Sequence, residues 1–209
     1  MAENTQAPDT EPKRIGIILY DDFETLDVFG PVQMWGRLPD YELVLVSQAG
    51  GTVRSAQGLT SLATASFETA PQFEILMVPG GQGSRVQVNN AAMLDFLRRQ
   101  SAGTEWTTSV CTGSSLLARA GILDGRRATT NKVAFAWVAG QSTRVDWQKT
   151  ARWVLDGKFM TSSGVSAGTD MALGLVEKLY GHAMADSVAR AAEYCWNDNP
   201  ADDPFADNE

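Results

Sequence analysis

"TEWTTSVCTGSSLLARAG", residues 104–121, decides the fold. Its first seven residues are β-type and read as a strand. The stretch "TGSSLLARAG" reads as a helix. Cys111 sits at the junction. A strand that runs straight into a helix is the unit of an α/β fold, so the question is whether the alternation recurs.

It does, in both directions. "RIGIILY" (14–20) is an unbroken apolar run, the pattern of a strand buried on both faces. Residues 25–37 carry Leu26, Phe29, Val32, Met34 and Trp35 at helical spacing despite Gly30 and Pro31. "YELVLVSQ" (41–48) is a second strand, and "GTVRSAQGLTSLATASF" (51–67) reads as a small hairpin leaving the main sheet. "FEILMVPGG" (73–81) is a buried strand ending in a Gly pair, and residues 90–101 form a short helix. Downstream come a turn and short strand in "GILDGRRATTN" (121–131) and a helical "KVAFAWVAG" (132–140). "ARWVLDGKFMTSSG" (151–164) reads as a hairpin around Asp156-Gly157. An amphipathic helix over 166–181 and a last helix over 182–196 follow. The expected fold is a three-layer α/β sandwich around a mostly parallel sheet. One domain spans 13–197, between a disordered arm (1–12) and an acidic irregular tail (198–209).

Composition narrows the function. The chain has 209 residues and a formal net charge of -8, which disfavours nucleic acid and anionic membranes as partners. No apolar run approaches the ~20 residues of a membrane span. The first dozen residues do not resemble a secretory signal, so a cytoplasmic location is expected. There are two cysteines and one histidine, His182, too few for a zinc cluster. No metal is expected.

In open α/β sheets ligands bind beyond the carboxyl ends of the strands. A cysteine that ends such a strand and opens a helix is lifted clear of the backbone, and the helix N-terminus favours its thiolate. The N–H of Thr112 then lies beside the sulfur, where it can stabilise developing charge. The other reading of Cys111 is a buried small hydrophobe. "PGGQG" (79–83) ends a second strand with N–H groups that can form an anion-binding nest, although its spacing fits no common nucleotide fingerprint. Asp27, just beyond the first strand, is either an early-turn helix charge or a functional acid. Buried beside a thiolate, it would hold its proton to higher pH.

Taken together, "IGIILYDDFETLDVFGP", "MVPGGQG", "TSVCTGSSLLARAGILDGRRATTN", "SSGVSAGTDMALGLVE" and "AEYCWNDNPADDPF" resemble the ThiJ/PfpI superfamily, and within it the isocyanide hydratase group. The resemblance spans roughly residues 14–205. It implies a flavodoxin-like core, a homodimer, Cys111 as nucleophile and Asp27 as acid/base partner. It also implies Thr112 flanking the sulfur and Gly81 as a backbone donor. The implied reaction is the cofactor-free hydration of a small uncharged isocyanide to an N-substituted formamide. Superfamily proteases and glyoxalases place His after the cysteine and Glu in the early acidic position, where this chain has Thr112 and Asp27. Related regulators carry a helix-turn-helix region, for which the chain is expected to be too short. Relatives often read "ATTHW" where this chain reads "ATTNK", so Asn131 stands in place of a histidine. A cysteine redox sensor and another hydrolase or lyase on the same scaffold are the competing readings. His182 is expected at the surface, Cys195 structural or inert, and Asp170 near a helix start, capping it or balancing the dipole.

Overall fold

A computed structural model describes residues 11–206. The elements in chain order are β1 (Lys13–Ile18), α1 (Thr25–Trp35), β2 (Tyr41–Ser47), β3 (Gly51–Arg54), β4 (Thr60–Ala63), β5 (Ala65–Ser66) and β6 (Ile75–Val78). Next are α2 (Ser84–Gln87), α3 (Ala91–Gly103), β7 (Trp106–Ser109), α4 (Gly113–Arg119), β8 (Arg127–Ala128) and α5 (Phe135–Ala139). The chain closes with β9 (Asp146–Trp147), β10 (Trp153–Asp156), β11 (Phe159–Ser162), α6 (Ala167–Tyr180) and α7 (His182–Ala191).

The main sheet has the order β10-β11-β7-β6-β1-β2-β5. Every pairing in it is parallel except β10 with β11. β1 and β6 read as continuous apolar runs because both their faces are covered: Ile15, Ile17 and Ile18 are fully buried, as is all of β6. Helices α1, α6 and α7 form one packed group and α2 to α5 another, giving the flanking layers. Trp35 ties α1 to α6 by donating its indole N–H to the Ala172 carbonyl (3.0 Å).

The chain runs from β1 outward to β2 and then returns to place β6 on β1's other side. That reversal opens a crevice beyond the carboxyl ends of β1 and β6. The turn after β1 is stitched to the turn after β6: Glu24 N–H donates to the Gly80 carbonyl (2.9 Å). Thus the first turn of α1 is held against "PGG".

Several expected boundaries shift. The last helix ends at Ala191 rather than 196. In the β10–β11 hairpin Asp156 pairs with Phe159, so the loop is Gly157-Lys158. The expected arm falls almost wholly on residues 1–10, outside the described residues. The tail is irregular where described, yet fastened: Arg152 N–H donates to the Pro200 carbonyl (2.9 Å) and Asp203 N–H to that of Thr150 (3.1 Å). Among the described residues no helix is long and apolar enough to cross a membrane.

Candidate active site

Cys111 has φ 56°, in the left-handed region that residues with a Cβ rarely enter. Neighbouring groups hold it there from both sides. Its N–H donates to the Ser163 carbonyl (3.1 Å), and its own carbonyl accepts from the hydroxyls of Thr130 (2.9 Å) and Ser114 (3.2 Å). Strain fixed in this way marks a positioned side chain. Gly113 makes the elbow possible. A Cβ there would lie 2.1 Å from the Val78 carbonyl oxygen, so only glycine lets the turn pack against the end of β6.

Asp27 lies in the first turn of α1 with its side chain fully buried. It does not cap the helix. Glu24 is the N-cap, and Asp27 Oδ2 instead accepts from Gly80 N–H across the crevice (2.8 Å). Asp27 Oδ1 is buried with no hydrogen-bond partner. Burial raises the Asp27 pKa well above the usual carboxylate range; the Gly80 N–H opposes this in part. The expected proton-holding environment is present.

For Cys111 the expected lowering by the helix N-terminus is overturned. α4 has only seven residues, and burial pushes the thiol up, with the Asp27 charge adding to it. Opposing that rise are the backbone N–H groups of Thr112 and Val165 and the side-chain amide of Asn131, all facing the sulfur and favouring its charged form. The two groups are coupled, so where the shared proton sits depends on their partners. Three donors face the sulfur, and the carboxylate faces the Gly80 N–H and the Cys111 thiol, each favouring the charged form.

The structure brings Cys111, Asp27, Thr112 and Gly81 into one crevice, but Gly81 is not aimed at the sulfur. Its φ is 123°, and its N–H donates to Thr112 Oγ1 (3.1 Å), which also accepts from Ser84 Oγ (3.0 Å). Gly81 and Ser84 thus orient Thr112. His182 and Cys195 are exposed and stay outside the crevice. Asp170 lies outside the crevice in the first turn of α6, at the helix start as expected, and its buried carboxylate also accepts from Arg152 Nε (2.7 Å).

Sequence reasoning missed Val165, Tyr20 and Ser84. Val165 contributes only a backbone N–H, which no residue type announces, although its φ of 46° is unusual for a β-branched residue. Tyr20 is buried and donates its hydroxyl to the Pro79 carbonyl (2.6 Å), fixing the "PGG" turn. A tyrosine closing an apolar strand was the available signal.

Cysteine-elbow α/β domains are the class that this fold and crevice define. Residues 13–178 match the model of the DJ-1/PfpI family, and the chain belongs to that family. It is 37% identical over 181 residues to the isonitrile hydratase of Pseudomonas putida, covering 87% of this chain and 78% of that protein. It is 30% identical over 189 residues to the HTH-type transcriptional regulator GbdR of Pseudomonas aeruginosa. That match covers 88% of this chain and 51% of the regulator, so the chain spans about half the regulator's length. Among solved structures, a ThiJ/PfpI family protein from Pseudomonas syringae superposes with a TM-score of 0.80 at 30% identity, covering 96% of this chain and 81% of that one.

Proposed function

We propose that this protein hydrates isocyanides to N-substituted formamides, with Cys111 as nucleophile and Asp27 as the single acid/base. The observation that carries the reading is the pairing of a strained, donor-faced sulfur with a buried carboxyl that faces it and holds its proton well above the usual carboxylate range. Similarity to an isonitrile hydratase supports the substrate class.

The thiolate adds to the terminal carbon of R–N≡C while Asp27 gives its proton to that same carbon. The product is a thioimidate, R–N=CH–S–Cys, and an ionised Asp27. Asp27 next takes a proton from water as the hydroxide adds to the thioimidate carbon, and passes that proton to the nitrogen. It then accepts the hydroxyl proton as the carbonyl forms and the thiolate leaves. R–NH–CHO departs with Asp27 protonated and Cys111 ionised again, as at the start. One carboxyl can act as acid and then base because covalent catalysis splits the reaction into two steps.

The test is formamide production from cyclohexyl isocyanide, followed by chromatography. Cys111→Ala should abolish it. Asp27→Asn should reduce turnover by ~10²-fold or more, the contribution expected of general acid–base catalysis. Full turnover in Cys111→Ala would sink the mechanism; full turnover in Asp27→Asn would reduce Asp27 to a packing role.

A further inference from the structure

A cavity of about 280 Å³ opens beside the candidate site, and Asn131, Val165 and Phe205 are among its lining residues. Asn131 and Val165 also face the Cys111 sulfur, so the cavity and the sulfur share a wall. Its volume is near the lower end of small-molecule pockets. Phe205 is 54% exposed and is contributed by the acidic, irregular C-terminal segment.

That segment reaches the cavity through a chain of buried charges. Asp203 is almost fully buried, and its Oδ1 accepts the Phe205 N–H (3.0 Å). The same carboxylate faces Arg152 Nη1 and Lys132 Nζ, each at 3.8 Å. Arg152 is paired in turn with buried Asp170, whose Oδ1 accepts the Tyr194 hydroxyl and the Asn197 N–H, both at 3.0 Å. Lys132 is anchored to the Ala151 carbonyl (2.6 Å) and directly follows Asn131. Burying four charges is costly unless they are paired. Here they fix the backbone two residues before Phe205 and one residue after Asn131.

We infer that Phe205 is a specificity-determining residue, an apolar wall for the organic substituent of the substrate, and that Asp203 is the positioning residue that sets it there. The inference rests on the proposed reaction for the identity of the substrate but not for the existence of the wall. A half-exposed phenyl ring at a cavity mouth gains most when an apolar group covers it. The site would therefore favour bulky apolar isocyanides over the smallest ones.

Two ratios test this in a Cys195→Ser background, so that only Cys111 reacts. One is kcat/KM for cyclohexyl over methyl isocyanide. The other is the alkylation rate of Cys111 by N-benzyl iodoacetamide over iodoacetamide, in which the thiolate fraction cancels. Phe205→Ala should lower both ratios, on the order of tenfold, the usual reach of an apolar pocket contact. Its thermal midpoint should stay near wild type. Phe205→Leu should restore most of each ratio, and Asp203→Asn should move both the way Phe205→Ala does. If the parent hydrates neither isocyanide but the alkylation ratio still falls in Phe205→Ala, the wall stands and the hydratase reading falls. If both ratios are unchanged in Phe205→Ala, the inference is overturned.

Discussion

At Cys111 two influences oppose each other. Burial and the Asp27 charge raise its pKa, whereas Thr112, Val165 and Asn131 favour the thiolate. The Asp27 charge counts only while Asp27 is ionised, so the pair loses its protons in two macroscopic steps. The Cys111 alkylation rate should therefore rise in two stages with pH: once when the pair first ionises, and again when the pair loses the shared proton. Asp27→Asn removes the partner and should leave a single stage. Iodoacetamide labelling followed by peptide mass spectrometry between pH 5 and 10 measures it. Superimposable profiles for the two proteins would mean that Asp27 and Cys111 titrate independently. That Asp27 and Cys111 meet was legible from their places after two strands. The direction in which the thiol pKa moves was not, because burial comes from the whole layer stack and dominates a seven-residue helix.

The longer elements were legible because their periodicity is strong. β1, β2 and β7 and helices α1, α3 and α6 lie where the apolar patterns put them. What escaped was short or held from afar. α2 has four residues and β9 two, below the length at which any pattern can register. That the irregular C-terminal segment is fastened was not legible, because Asp203 is held by Lys132 and Arg152, far away in sequence. Asp170 carries the most bonds in this link, joining α6 to Arg152 at the start of β10 and to Tyr194 and Asn197 beyond α7. Asp170→Ala should therefore cost ~3–5 kcal/mol, as for a buried pair broken on one side. Urea denaturation checks this. Replacing Asp170 and Arg152 together with Leu and Met should recover much of the loss, because no charge is then left buried alone. A loss below ~1 kcal/mol for Asp170→Ala would equate the pair with an exposed surface bridge.

Over the whole molecule, the sheet reversal that opens the crevice also buries a carboxyl and a thiol among apolar layers, and stability registers that cost. An unfolded aspartate releases its proton near pH ~3.9. Folded, burial holds the Asp27 proton to well above that range. Between those two values the folded state binds the proton and the unfolded state does not, so stability falls as pH rises through the window. Across that window each tenfold fall in proton concentration removes about 1.4 kcal/mol. Asp27→Asn has no proton to lose and can still accept the Gly80 N–H, so its stability should not fall with this group. The variant should match wild type near pH 4 and become progressively more stable than it towards pH 7, while losing turnover. Such opposition between stability and activity is expected where a site is held in a strained, charge-burying arrangement. Urea midpoints for both proteins at pH 4, 5, 6 and 7 test it. A constant difference across that range, or a wild type that gains on the variant as pH rises, would mean that the folded Asp27–Cys111 pair holds no proton beyond the one the unfolded pair holds.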